Sequence, residues 1–121
     1  MVIMSAALTK RTLSNAMPGP AVARPRAFRR DAEHDLPGKV ARVVLFGSRA
    51  RGDARCDSDY DVAVFVRDLN DRRSIDHILS DAAYRQTGFH IRPVAVPAEY
   101  LETAPRDALA MEIIRDGIVV L

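Results

Sequence analysis

Two aspartates one residue apart, Asp59 and Asp61, stand ten residues after a Gly47-Ser48 pair. An apolar run flanks each element: Val43 to Phe46 precedes the first, and Val62 to Val66 follows the second. Short β-branched and aromatic runs bounded by turn residues read as buried strands. Side chains alternate along a strand, so Asp59 and Asp61 project to one side and Tyr60 to the other. Two carboxylates on one side repel each other unless a cation lies between them. Mg²⁺ suits that position, because it takes hard oxygen donors, commonly one or two carboxylates plus the phosphates of a substrate. The Gly47-Ser48 pair leaves the first strand and enters a short helical turn over Arg49 to Arg51. Backbone amides at such a turn face outward, and glycine lets a phosphate come close. The Ser48 hydroxyl and the guanidinium groups of Arg49 and Arg51 are further donors for the same anion. A phosphate cradle beside a carboxylate pair describes a site for a nucleoside triphosphate.

Other chemistries fit these residues less well. Asp57, Asp59 and Asp61 imitate the start of a calcium loop, but that loop needs Gly at its sixth position and Glu at its twelfth, where this chain has Val62 and Asp68. The glycine turn lacks the Gly-Lys-Ser/Thr ending of a Walker P-loop. Arg51-Gly52-Asp53 spells an adhesion tripeptide, which we attribute to chance. Cys56 is the only cysteine, so no internal disulfide forms, in keeping with a reducing cytoplasm.

The spacing Gly-Ser, ten residues, Asp-x-Asp resembles the signature of the DNA polymerase β-like nucleotidyltransferases, in particular the minimal nucleotidyltransferases of prokaryotes. Gly47, Ser48, Asp59 and Asp61 match it without a gap, and the resemblance extends from about Lys39 to Leu121. It implies an α/β (α+β) polymerase β-like fold, a small mixed sheet of about four strands packed with helices. It implies a Mg²⁺-dependent enzyme with Asp59 and Asp61 as catalytic, metal-holding residues and Gly47, Ser48, Arg49 and Arg51 around the nucleotide. Small proteins with this signature are antitoxins that transfer AMP from ATP to a tyrosine of a HEPN-domain RNase toxin. The implied partners are therefore ATP and a HEPN-domain toxin. A non-catalytic antitoxin that masks its toxin by contact is the rival, and transfer to a small molecule is a further alternative. The family places a third carboxylate on the strand after the long helix. Here that strand, Phe89 to Val96, holds no acid; His90 and Arg92 share one side of it, and either is a candidate for the position.

The elements that must position these residues follow from the same sequence. At 121 residues the chain makes one domain. Its 48% hydrophobic and 28% charged residues suit a water-exposed globule. No apolar run reaches the ~18–20 residues of a membrane span. The net charge of +2 conceals an asymmetry: residues 1–30 carry six basic residues and no acid, leaving 12 basic against 16 acidic residues in the remainder, a balance of −4. With tryptophan absent as well, no direct nucleic-acid binding is expected. Residues 1–24 read as a basic arm and 25–121 as the nucleotidyltransferase domain.

Within that domain, Pro25 is expected to open a helix to Asp35, with Phe28, Ala32 and Leu36 on one side. A strand runs from Lys39 or Val40 to Phe46. After the signature, Asn70 or Asp71 caps a helix over Arg72 to Gln86, whose Ile75, Ile78, Leu79 and Ala82 recur at helical spacing. Pro93 puts the third strand at a sheet edge or a bulge. A helix over Asp107 to Arg115 and a short strand over Ile118 to Leu121 close the chain. The order suggests a two-layer sandwich with a mixed sheet.

Overall fold

The two apolar runs form the middle of the sheet. In the computed structural model, which describes residues 19–87, 90–103 and 106–121, strand β1 (Val40–Phe46) pairs antiparallel with β2 (Tyr60–Val66). Strand β3 (Ile91–Pro97) lies parallel to β2, and β4 (Ile118–Val119) lies antiparallel to β1. The sheet is thus mixed, with the order β3-β2-β1-β4. Among the described residues five helices surround it: α1 (Gly19–Asp35), α2 (Ser48–Arg51), α3 (Arg72–Thr87), α4 (Tyr100–Thr103) and α5 (Ala108–Asp116). β3 is an edge strand, as its prolines require, since Pro93 and Pro97 bring no amide proton to a ladder.

Consecutive residues Val43, Val44, Leu45 and Phe46 are all buried, as are Val62 to Val66. Strands apolar on both sides need cover on both sides, and this corrects the two-layer expectation to three layers. On one side, Val43, Leu45, Val62, Val64 and Val66 pack with Phe28 and Ala32 of α1, with Leu36 just beyond its end, and with Ile75, Leu79 and Ala82 of α3. On the other, Val44, Phe46, Ala63 and Phe65 pack with Leu101 of α4 and with Ala110 and Ile113 of α5. The apolar spacing read from the sequence accounts for the α1 and α3 contacts, whereas Leu101 was not placed on a helix by it.

Helix starts follow capping chemistry. Asp71 accepts the Ser74 amide through its side chain (3.3 Å) and the Ile75 amide through its carbonyl (3.1 Å), so Asp71 rather than Asn70 caps α3. Asp107 accepts the Ala110 amide at 2.8 Å and caps α5. Tyr100, on the unexpected short helix α4, donates to the same Asp107 carboxylate, and burial with this bond pushes its phenol up to about 12. Helix α1 begins at Gly19 and runs through Pro25, not from it. Pro20 sits in its first turn, where a missing amide proton costs nothing. Most of the basic arm and the Phe89 start of the third strand lie outside the described residues.

Leu79 is 1% exposed, midway along α3. Leu79→Ala is expected to lower stability by about 2–5 kcal/mol through a cavity left under the sheet. Asp81→Ala, on the exposed side of the same helix, should stay within about 0.5 kcal/mol. Urea unfolding of the two variants checks the packing.

Candidate functional site

The site forms where β1 ends and β2 begins. Phe46 and Asp61 are opposite each other in the antiparallel ladder, so the residue after Phe46 lies beside the Asp61 carboxylate. That residue is Gly47, with φ 77° and ψ −157°. The region is open essentially to glycine alone. A side chain there would also collide with Asp61, since a Cβ would come 2.7 Å from Asp61 Oδ2. Two separate constraints therefore demand glycine. The Gly47 carbonyl accepts the amides of Ala50 and Arg51 and starts α2. The amides of Ser48 and Arg49 come before these and have no carbonyl one turn earlier in the helix to bond.

Arg49 and Arg51 hold the surrounding loops. Arg49 donates to the carbonyl of Ser58 (2.9 and 3.2 Å) and of Cys56 (3.2 Å), and its guanidinium stands 4.4 Å over the Tyr60 ring. It thereby fixes the segment that delivers Asp59. Arg51 donates to Asp53 (3.1 Å) and to Asp116 at the end of α5 (2.9 Å). Asp116 is only 5% exposed, and hydrogen bonds from Arg115 and then Arg51 hold its carboxyl below the ordinary range. This pair ties the Gly-Ser turn to the C-terminal helix, a link that sequence spacing did not disclose.

Asp59 and Asp61 both face Arg92. The parallel register sets Arg92 directly opposite Asp61. Its Nη1 lies 3.7 Å from Asp59 Oδ2, and its Nε lies 3.9 Å from Asp61 Oδ1. The strand side left open between His90 and Arg92 thus belongs to Arg92. His90 precedes β3, and its carbonyl receives the Tyr60 amide at 2.5 Å. Burial pushes the Asp61 carboxyl above its ordinary 3.8, the Arg92 charge works against this, and Asp59 and Glu112 add to the rise.

Glu112 belongs to a cleft of about 400 Å³ lined also by Phe46, Asp61, Arg92, Pro93, Val94 and Leu109. It lies one helical turn after Leu109, but nothing in its spacing disclosed that α5 crosses the mouth of β2. Among the described residues no group of three or more His, Cys, Asp or Glu side chains is placed to enclose a metal ion. The Asp59–Asp61 pair does fit a hard cation: both carboxylates already face one positive group, and their oxygens are the donors Mg²⁺ prefers, with substrate phosphates to complete the set.

Residues 33–121 match the polymerase β nucleotidyltransferase family. The chain belongs to that family. The matched span takes in all four residues of the Gly-Ser and Asp-x-Asp elements. A candidate protein adenylyltransferase from Methanocaldococcus jannaschii is 43% identical over 44 residues. The match spans 36% of this chain and 44% of that relative's length. Two solved structures share this fold. A candidate nucleotidyltransferase from Sulfolobus solfataricus superposes with TM-score 0.56 at 15% identity, covering 83% of this chain and 78% of that one. A toxin–antitoxin structure with AMP-PNP superposes with TM-score 0.59 at 21% identity, covering 79% and 72%.

Gly47→Ala is expected to lower stability by about 1–3 kcal/mol from backbone strain, with a further loss from displacing Asp61. Gly52, at φ 86° with open space where a Cβ would project, supplies the comparison: Gly52→Ala should cost only the left-handed strain, about 1–2 kcal/mol. Urea midpoints measure both. Because the native state holds the Asp61 proton more tightly than the unfolded chain, ionised Asp61 weakens the fold at neutral pH. Asp61→Asn should therefore be more stable than the parent at pH 7, and the difference should shrink as the pH falls toward 3.8. Unfolding curves across that pH range test the sign.

Proposed function

We propose that the protein is a Mg²⁺-dependent nucleotidyltransferase that transfers AMP from ATP to a tyrosine of a HEPN-family RNase toxin, and so acts as that toxin's antitoxin. One observation carries the reading: a glycine turn that tolerates no side chain lies against Asp61, at 2.7 Å from a would-be Cβ. A phosphate chain received by the turn then lies next to the carboxylates. Gly47 and Ser48 receive the distal phosphates. Arg49 and Arg51 add positive charge while keeping the turn and the Asp59 loop in place. Asp59 and Asp61 would hold Mg²⁺, which would supply neutralising charge to the triphosphate. The acceptor hydroxyl oxygen bonds to the α-phosphorus, the bond from that phosphorus to the departing oxygen breaks in line, and pyrophosphate leaves. The hydroxyl proton passes to solvent. Positioning and charge neutralisation supply most of the rate in such transfers.

Support for a protein acceptor comes from the two relatives, one named for protein adenylylation and one a toxin–antitoxin assembly with an ATP analogue. The acid excess of residues 31–121 argues against a nucleic-acid substrate. A cytoplasmic location accompanies this reading. Among the described residues no helix is long and apolar enough to cross a membrane.

Arg92 opposite Asp61, in place of an acid, favours a second reading: an antitoxin that neutralises by contact alone. The double variant Asp59→Asn, Asp61→Asn separates the two. With ATP labelled at the α-phosphorus, label transfer to the toxin should fall by roughly 100-fold or more, and rescue of toxin-expressing cells should fail. Transfer that survives removes the site assignment. Rescue that survives without transfer establishes contact as the mechanism.

A further inference from the structure

Arg92 is the residue that the nucleotidyltransfer reading leaves without a task. It occupies the position across the ladder from Asp61, and its guanidinium reaches toward both carboxylates that would receive a cation. A guanidinium is permanently charged, so it cannot step aside by losing a proton. A divalent ion placed between Asp59 and Asp61 would meet that charge at close range. Nucleotide-free carboxylates therefore already have a counterion, supplied by the chain.

The grip is loose. At 3.7 and 3.9 Å the contacts are ion pairs beyond hydrogen-bond distance. The Arg92 side chain is 69% exposed, and exposed ion pairs of this kind are weak. The cleft beside Asp61 also includes Arg92 along its wall. A triphosphate arriving there offers the guanidinium a stronger partner than either carboxylate, because planar N–H donors match phosphate oxygens in pairs. Arg92 can turn from carboxylate to phosphate without disturbing its backbone, which is fixed in β3.

We propose that Arg92 makes cation binding at Asp59 and Asp61 conditional on nucleotide: it neutralises the pair in the free protein and transfers to the triphosphate when nucleotide and divalent ion enter together. This rests on the nucleotidyltransfer reading and adds an order to it. Free divalent ion binds poorly, and the nucleotide–metal complex binds as a unit.

The test uses Mn²⁺, followed by electron paramagnetic resonance and by calorimetry, with and without a non-hydrolysable ATP analogue. The parent protein should bind Mn²⁺ weakly alone and more tightly with the analogue. Arg92→Gln keeps a polar side chain and removes the charge, and it should bind Mn²⁺ alone about two- to fivefold more tightly than the parent. The same variant should bind the analogue less well. Arg92→Lys keeps the charge and should retain the parent's dependence on nucleotide. Circular dichroism confirms that the variants fold. Equal Mn²⁺ affinity in the parent and Arg92→Gln, with analogue-dependent binding intact, overturns the role of Arg92 and leaves the nucleotide site standing. Absence of Mn²⁺ binding in every protein, with analogue present, overturns both.

Discussion

The site depends on the approach of a bare backbone to a carboxylate. Gly47 follows the last residue of β1, and Asp61 is the cross-strand partner of that last residue, so the sheet's own register sets the two side by side. No side chain fits between them. Everything that a phosphate and a cation would need from each other is decided by this contact. The distance is held by the ladder, not by a flexible loop, and strand pairing is the most rigid part of such a fold.

Rigidity here comes from burial on both sides of β1 and β2. Val43 and Leu45 anchor the strand to α1 and α3, while Val44 and Phe46 anchor it to the side of α5. The Asp59–Asp61 side of β2 is the one shared with Ala63 and Phe65, so the carboxylates emerge at the end of a packed layer. That partial enclosure explains why Asp61 resists ionisation while still reaching solvent. Arg51 adds a tie across the layer: through the buried Asp116 it links the Gly-Ser turn to α5.

Much of this was legible in the sequence because it is local. Runs of buried residues marked out β1 and β2, helical spacing marked out α3 and α5, and Asp71 was one of two residues that flagged the start of α3. Pro93 correctly put β3 at the edge. What escaped was long-range. The position of Arg92 over His90 is a matter of register between β2 and β3, which spacing does not encode. Glu112 and Asp116 reach the site only because α5 crosses it, and Arg49 and Arg51 spend their charge on loop carbonyls and on Asp116 as well as facing the turn. Pro25 misled for a different reason: tertiary packing of α1 tolerates a proline that local propensity would place at a helix start.

The edge strand β3 carries one more consequence. Pro93, Ala95 and Pro97 share a parity, and two of the three have no amide proton to offer. The carbonyl of the third, Ala95, already receives a hydrogen bond from Arg72 at 3.0 Å. A foreign strand approaching this border meets a row stripped of most of its donors and with its middle acceptor engaged. The sheet is guarded against edge-to-edge aggregation beside the cleft, and the opening stays accessible to whatever must enter it.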